Sequence, residues 1–82
     1  MIPKIKSFKP MDNFILSVNF DSGEHVKYDV MDDVNTIPDF RPLIDLEGLF
    51  ECARLDESRT CIYWNDRIDL PSDTILEYGV KC

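Results

Sequence analysis

Residues 14 to 30 read FILSVNFDSGEHVKYDV, and this stretch decides the fold. Phe14, Leu16, Val18 and Phe20 stand at every second position, with Ile15, Ser17 and Asn19 between them. A period of two places one apolar row on one face of a strand. After Asp21-Ser22-Gly23 the row resumes as Val26, Tyr28 and Val30, while His25, Lys27 and Asp29 take the other face. Residues directly opposite in an antiparallel pair share a face. A two-residue loop of Ser22-Gly23 sets Val18 opposite Lys27 and mixes the faces. A three-residue loop sets Phe20 opposite Glu24, Val18 opposite Val26, Leu16 opposite Tyr28 and Phe14 opposite Val30. That loop is a type I turn followed by one left-handed residue. Gly23 suits the last position, since it has no Cβ to clash at positive φ. Glu24 then falls on the inner face, beside the turn, where it reaches solvent.

Upstream, residues 4 to 9 (KIKSFK) predict a strand bounded by Pro3 and Pro10. Ile5 and Phe8 differ in parity, so the strand carries a bulge or turns one of them outward. Lys4, Lys6 and Lys9 fit an edge strand, where charge discourages pairing with another molecule. Pro10 to Asn13 is the turn into the central hairpin.

Downstream, the alternation stops at Val30. Met31 to Asn35 predicts a single helical turn. Residues 37 to 43 (IPDFRPL) hold two prolines, which argue against a regular helix or a central strand. This segment reads as a connection over the sheet edge, pinned by Phe40 and Leu43. Asp45 reads as the N-cap of a short helix from Leu46 to Phe50. ECARLD (51–56) and TCIYWN (60–65) predict a second hairpin. Leu55 opposite Ile62 and Ala53 opposite Trp64 build its apolar face. The loop is either Ser58-Arg59 or four residues long. Ile68 to Leu70 resumes as a brief strand. A last helix runs from Pro71, which suits a first helical position, to Tyr78. Gly79 follows as its stop.

The expected fold is therefore a single α+β domain over residues 1–82. It has a small antiparallel sheet of about five strands, made of two hairpins and an N-terminal edge strand, with one or two short helices. A chain of 82 residues suffices for one domain and not two. No apolar run nears the about 20 residues needed to cross a bilayer, and the N-terminal stretch lacks the apolar core of a signal peptide. The expectation is a cytoplasmic protein without membrane contact. The formal net charge of −7 argues against direct nucleic-acid binding, which draws on cationic contacts to phosphate. Cys52, Cys61 and Cys82 are odd in number and contain no C-x-x-C pair. In the expected register Cys52 and Cys61 lie four positions apart along the ladder. At about 3.4 Å per residue that is too far for a disulfide, so free thiols are expected.

No catalytic constellation stands in the chain, and no catalytic, cofactor-binding or metal residue is assigned. His25 is the lone histidine, on the outer face beside the turn. Asp66, Asp69 and Asp73 form one of the denser carboxylate groups, but they lack the alternate-position spacing and turn glycine of a calcium loop. They read as flanking charges of the last helix. The glycines at 23, 48 and 79 stand singly, so no phosphate loop exists. Phe14, Phe20, Tyr28 and Trp64 are core by parity. Tyr63 has the opposite parity to Trp64 and faces outward. With the outer-face residues Ile15 and Lys27, Tyr63 is a candidate for contact with a partner.

The order F-x-L-x-V-x-F-x-x-G-E, Y-D-V, F-R-P-L-I-D and Y-W-N-D-R-I-D-L-P-S-D-T-I-L-E-Y resembles the bacterial domain-of-unknown-function family numbered 2442. The resemblance rests on Phe14, Leu16, Val18, Phe20, Gly23, Glu24, Tyr28, Asp29, Val30, Phe40, Pro42, Leu43, Asp45, Phe50, Trp64, Asp69, Leu76 and Tyr78. It implies an α+β domain related to the N-terminal domain of a larger helix-turn-helix protein, whose DNA-reading half this chain would lack. It also implies a gene context beside another small protein, in a toxin–antitoxin-like pair. It carries over no catalytic residue. The leading expectation is a non-enzymatic interaction module, the acidic member of such a pair. Its partner would be another protein, with a homo-oligomer as a further arrangement. The alternatives are an accessory domain in transcriptional regulation acting through a DNA-binding partner, and a metal-binding or enzymatic domain using Asp66 to Asp73.

Overall fold

The computed structural model describes residues 2–82, so Met1 of the N-terminal stretch lies outside them. The fold is α+β. Its elements are β1 (Ile5–Met11), β2 (Ile15–Phe20), β3 (His25–Asp29), α1 (Met31–Thr36), α2 (Pro42–Asp45), β4 (Arg54–Leu55), β5 (Cys61–Tyr63), β6 (Asp69–Pro71), α3 (Ser72–Tyr78) and β7 (Val80–Lys81). The strands fall into two antiparallel sheets, where one of about five strands was expected. The larger sheet has the order β1-β2-β3-β7 and the smaller β4-β5-β6. β7 takes the place beside β3 that the second hairpin would need to extend the first sheet. The smaller sheet instead turns its apolar face to the same core, where Ile62, Trp64 and Leu70 cluster with Leu16, Val18 and Val26.

The central hairpin has the register that face parity demands. Val18 stands opposite Val26 and Leu16 opposite Tyr28. The Phe20 amide donates to Glu24 O at 2.9 Å, and the Gly23 amide donates to Phe20 O at 2.9 Å, closing a three-residue loop with Gly23 at φ +95°. Glu24 leaves the inner face for solvent and meets Lys81 Nζ at 3.2 Å. Phe14 departs from the expectation. It lies outside the strand at φ +60°, after Asn13 at φ +64°. Two successive left-handed residues reverse the chain between β1 and β2. Asparagine tolerates that region better than phenylalanine does, and Phe14 is held there by edge-on packing against Phe50, centroids 5.2 Å apart. The pair opposite Val30 survives as a single bond, Val30 N–H to Phe14 O at 3.0 Å.

β1 lies at the sheet edge, and it continues through Pro10 to Met11. An edge strand tolerates a residue that cannot donate to the ladder. A bulge between Ile5 and Ser7 resolves the parity conflict. It buries Ile5 fully and half-buries Phe8.

Between the sheets, the helix expected over Leu46 to Phe50 does not form. Asp45 ends α2 instead of capping a new helix, and its carboxylate meets Arg41 Nε at 3.3 Å. Leu46 leaves the helix at φ −104°, ψ 104°, and Gly48 sits at φ +85°. A proline breaks a helix it interrupts but starts one well, because the first turn has no use for its N–H. Pro38 and Pro42 each open a turn. Phe40 and Leu43 are buried as the connection's anchors.

The second hairpin pairs Leu55 with Ile62, and its loop is the four residues 57–60. The loop is built on Asp56, whose Oδ1 accepts the amides of Thr60 at 2.9 Å and Cys61 at 3.1 Å. The three cysteines are free thiols. Trp64 is buried against Phe50, and its indole N–H donates to Phe50 O at 2.9 Å. Pro71 still belongs to β6 and precedes α3 in extended conformation, so α3 begins at Ser72. Gly79 does end α3, but at φ −74°, ψ 162°, outside the left-handed region. Space is what it supplies. A Cβ there would overlap Val26 Cγ1 and lie 2.6 Å from Ile75 O. Glycine lets the chain leave α3 and lie directly on β3 as β7.

Candidate functional site

β7 covers only part of the β3 edge. Val26 pairs with Lys81 and Lys27 with Val80, and there the register stops. Past that point α1 departs from the sheet and α3 ends. The space between them is an open groove of about 680 Å³. The sheet contributes Ile15, Lys27, Tyr28 and Asp29, α1 contributes Asp32 and Asp33, α3 contributes Thr74 and Tyr78, and β7 contributes Val80. Its apolar wall is open to solvent, with Tyr78 and Val80 each 71% exposed. Ile15 beside them is half-buried.

The same groove carries three carboxylates. Asp29 and Asp32 are exposed and Asp33 is half-buried. Tyr28 Oη donates to Asp33 Oδ2 at 2.6 Å. Burial pushes the Asp33 carboxyl above the usual carboxylate range, with Asp32 and Asp29 adding to the rise and the tyrosine hydrogen bond opposing it. Burial, the Asp33 bond and the neighbouring carboxylates push the Tyr28 phenol up as well, so its proton stays on oxygen at neutral pH. Asp29 Oδ1 accepts the Met31 amide at 3.0 Å, which ties the start of α1 to the end of β3. The groove thus offers apolar area and negative charge. Its Tyr28 hydroxyl is fixed by the hydrogen bond to Asp33.

Of the three contact candidates read from sequence, the structure brings Ile15 and Lys27 together in this groove. Tyr63 lies apart, half-buried on β5 between Arg54 of β4 and Asp69 of β6. Tyr78 and Val80 were not among the contact candidates. Tyr78 was read as the last residue of a helix and Val80 follows the glycine that stops it, and a two-residue strand has no periodicity to detect. Asp66, Asp69 and Asp73 do not converge. Among the described residues no three His, Cys, Asp or Glu side chains are grouped to hold a metal ion. Asp73 Oδ1 instead accepts the Thr74 amide at 2.9 Å at the start of α3.

His25 has one notable contact, Nε2 to Ser17 Oγ at 2.6 Å across the outer face of β2 and β3. Serine activation by histidine calls for a third group that orients the ring. Among the described residues no other side chain hydrogen-bonds this ring, and the pair lies outside the groove. It is a cross-strand polar contact.

Comparison of the chain with models of known families, with curated proteins and with solved structures finds no match. Among the described residues no helix is long and apolar enough to cross a membrane.

Proposed function

We propose that this chain is a non-enzymatic protein-interaction module whose contact surface is the groove between β3, β7, α1 and α3. One observation carries the reading. Tyr78 and Val80, each 71% exposed, line one groove with Ile15 at the uncovered end of the β3 edge. Exposed apolar area rimmed by polar groups marks contact sites, and tyrosine contributes large area there at low entropic cost. The chain's net charge of −7 fits the acidic member of a small paired system, the partner being the product of a neighbouring gene. The free thiols fit a cytoplasmic setting. Membership of the family named above belongs to the same proposal and rests on the residues quoted for it.

The test is copurification from the native host of the tagged chain and of a Tyr78→Ser, Val80→Ser variant that keeps its melting temperature. The expected result is a stoichiometric protein partner with the native chain and its loss with the variant. A partner retained by the variant sinks the groove as the contact surface. Absence of any stoichiometric partner counts against an interaction module altogether.

A further inference from the structure

We infer that the groove takes a cationic peptide segment, in which Lys or Arg residues flank an aliphatic or aromatic anchor, held extended beside Asp29. This rests on the interaction reading above and goes on to name the chemistry of the partner.

Charge supplies the first reason. Asp29, Asp32 and Asp33 line the groove against a single ammonium, Lys27. Tyr28 already engages Asp33. Asp29 and Asp32 are exposed, and neither belongs to an ion pair among the described residues, whose pairs are Arg41–Asp45, Arg59–Asp21 and Lys81–Glu24. Two carboxylates therefore face solvent at the rim of an apolar wall with no cation of their own.

The main chain supplies the second. Along an antiparallel strand, N–H and C=O groups point alternately to the two neighbours. The amides of Phe20 and Val30 bond to Glu24 O and Phe14 O, which puts Glu24, Val26, Tyr28 and Val30 on the β2 side. His25 O accepts the Cys82 amide at 2.9 Å, so His25, Lys27 and Asp29 face the β7 side. β7 ends its pairing at Lys27. The Asp29 N–H and C=O are thus aimed into the groove with no strand opposite. They offer an incoming extended segment one pair of ladder bonds, the first step of strand addition. A segment bonded there enters the groove that Ile15, Tyr78 and Val80 line together with Asp29 and Asp32, so its apolar anchor and its cations meet apolar area and carboxylates in one place.

A second copy of this chain is the weaker occupant. The β1 edge carries Lys6 and Lys9 with Lys4 just ahead of it, which matches the groove, but each copy has a net charge of −7. Joining opposite edges of one sheet would also build an open filament.

The experiment is selection from a random peptide display library on the full-length chain. Enriched peptides are then titrated against the native chain, an Asp29→Asn, Asp32→Asn variant and the Tyr78→Ser, Val80→Ser variant. Asparagine keeps the acceptor that Asp29 gives to Met31. The expected result is enrichment of cationic peptides with an apolar residue. Their affinity should fall roughly fivefold in the asparagine variant, as the loss of two exposed charge pairs implies, and further with added salt. It should fall again in the serine variant, and amide shifts should move at Asp29, Tyr78 and Val80. Enrichment of acidic or uncharged peptides, equal binding to the asparagine variant, or no enrichment overturns the inference. Concentration-dependent self-association that the asparagine variant abolishes also overturns it, in favour of a second copy. If the native partner is lost with the serine variant yet indifferent to the asparagine one, only the cationic assignment fails. If the serine variant keeps the native partner, the interaction reading itself has failed.

Discussion

Gly79→Ala should be the most damaging glycine substitution in this domain, for a steric reason. Gly79 has φ −74°, a conformation alanine adopts freely, so backbone strain predicts almost no effect. The contacts predict the opposite. An added Cβ would overlap Val26 Cγ1, lie 2.6 Å from Ile75 O and lie 3.3 Å from Lys27 O. Two of the three obstacles are main-chain atoms, which cannot rotate aside, and Val26 is fully buried. Overpacking of this kind costs about 1–3 kcal/mol, and the fixed carbonyls place Gly79→Ala at the upper end. At about 4–8 °C per kcal/mol for a domain of this size, the melting temperature should fall by roughly 10–20 °C. Gly23→Ala is the control. Gly23 has φ +95° and open space around it, so only conformational strain remains, about 1 kcal/mol. Thermal and urea unfolding of the two variants would rank them. Adding Val26→Ala to Gly79→Ala should cost less than the sum of the single changes, by about 1 kcal/mol, because the Cγ1 that the new Cβ would meet is gone. The Ile75 carbonyl remains, so the rescue is partial. Amide shifts at Thr74, Tyr78 and Val80 should move in Gly79→Ala as β7 lifts from β3. A Gly79→Ala melting point within a few degrees of the native one, or a larger loss in Gly23→Ala, would refute the reasoning.

Further outcomes follow from the same contacts. Asp33 has its folded pKa raised by burial, so its ionised form weighs against folding above that pKa, and the penalty lifts as pH falls through it; Asp33→Asn, which still accepts from Tyr28, should match or exceed native stability at pH 7 and lose that advantage on acidification, and a variant clearly less stable at pH 7 would reverse the assignment. Trp64→Phe removes the indole donor from the Phe50 carbonyl and should cost about 1–3 kcal/mol in urea unfolding; an unchanged midpoint would mean the carbonyl finds another donor. Arg59 stands at φ +61° and holds Asp21 through two nitrogens at 2.9 Å each. Alanine and glycine there both lose this exposed pair, worth under about 1 kcal/mol, but glycine also sheds the left-handed strain, so Arg59→Gly should be the more stable of the two by roughly 1 kcal/mol.

The register of the central hairpin was legible because burial and periodicity constrain one another. A slip of one residue would turn Leu16, Val18 and Val26 to water, and a two-residue loop would mix the faces that a three-residue loop keeps together. The same logic found the pairing of Leu55 with Ile62 and reduced the parity conflict between Ile5 and Phe8 to a bulge or an outward turn. It failed where local chemistry pointed two ways. Asp45 is as good a residue for ending α2 beside Arg41 as for capping a helix, and only the placement of Pro42 at a helix start decides between them. Phe14 carries no local sign of positive φ, since what holds it is Phe50, far along the chain.

The groove marks a deeper limit. Its walls come from residues 15, 27–33 and 74–80, which meet only after α3 has docked on β3. Each wall segment is selected beneath the groove as well as along it. Ile75 and Val26 are fully buried, and Tyr78 and Val80 stand where they do because the helix and strand that carry them are anchored by those two side chains and the missing Cβ of Gly79. Periodicity reports the buried face of an element and leaves the open face as its complement. That is why Ile15 and Lys27, the complement of a well-phased strand, were recoverable. Tyr78 and Val80 were not, because a two-turn helix followed by a two-residue strand has too little phase to define a complement. A groove assembled at the end of one sheet edge is therefore read from close approach between backbones. In this chain the informative residue is a glycine that lines no wall.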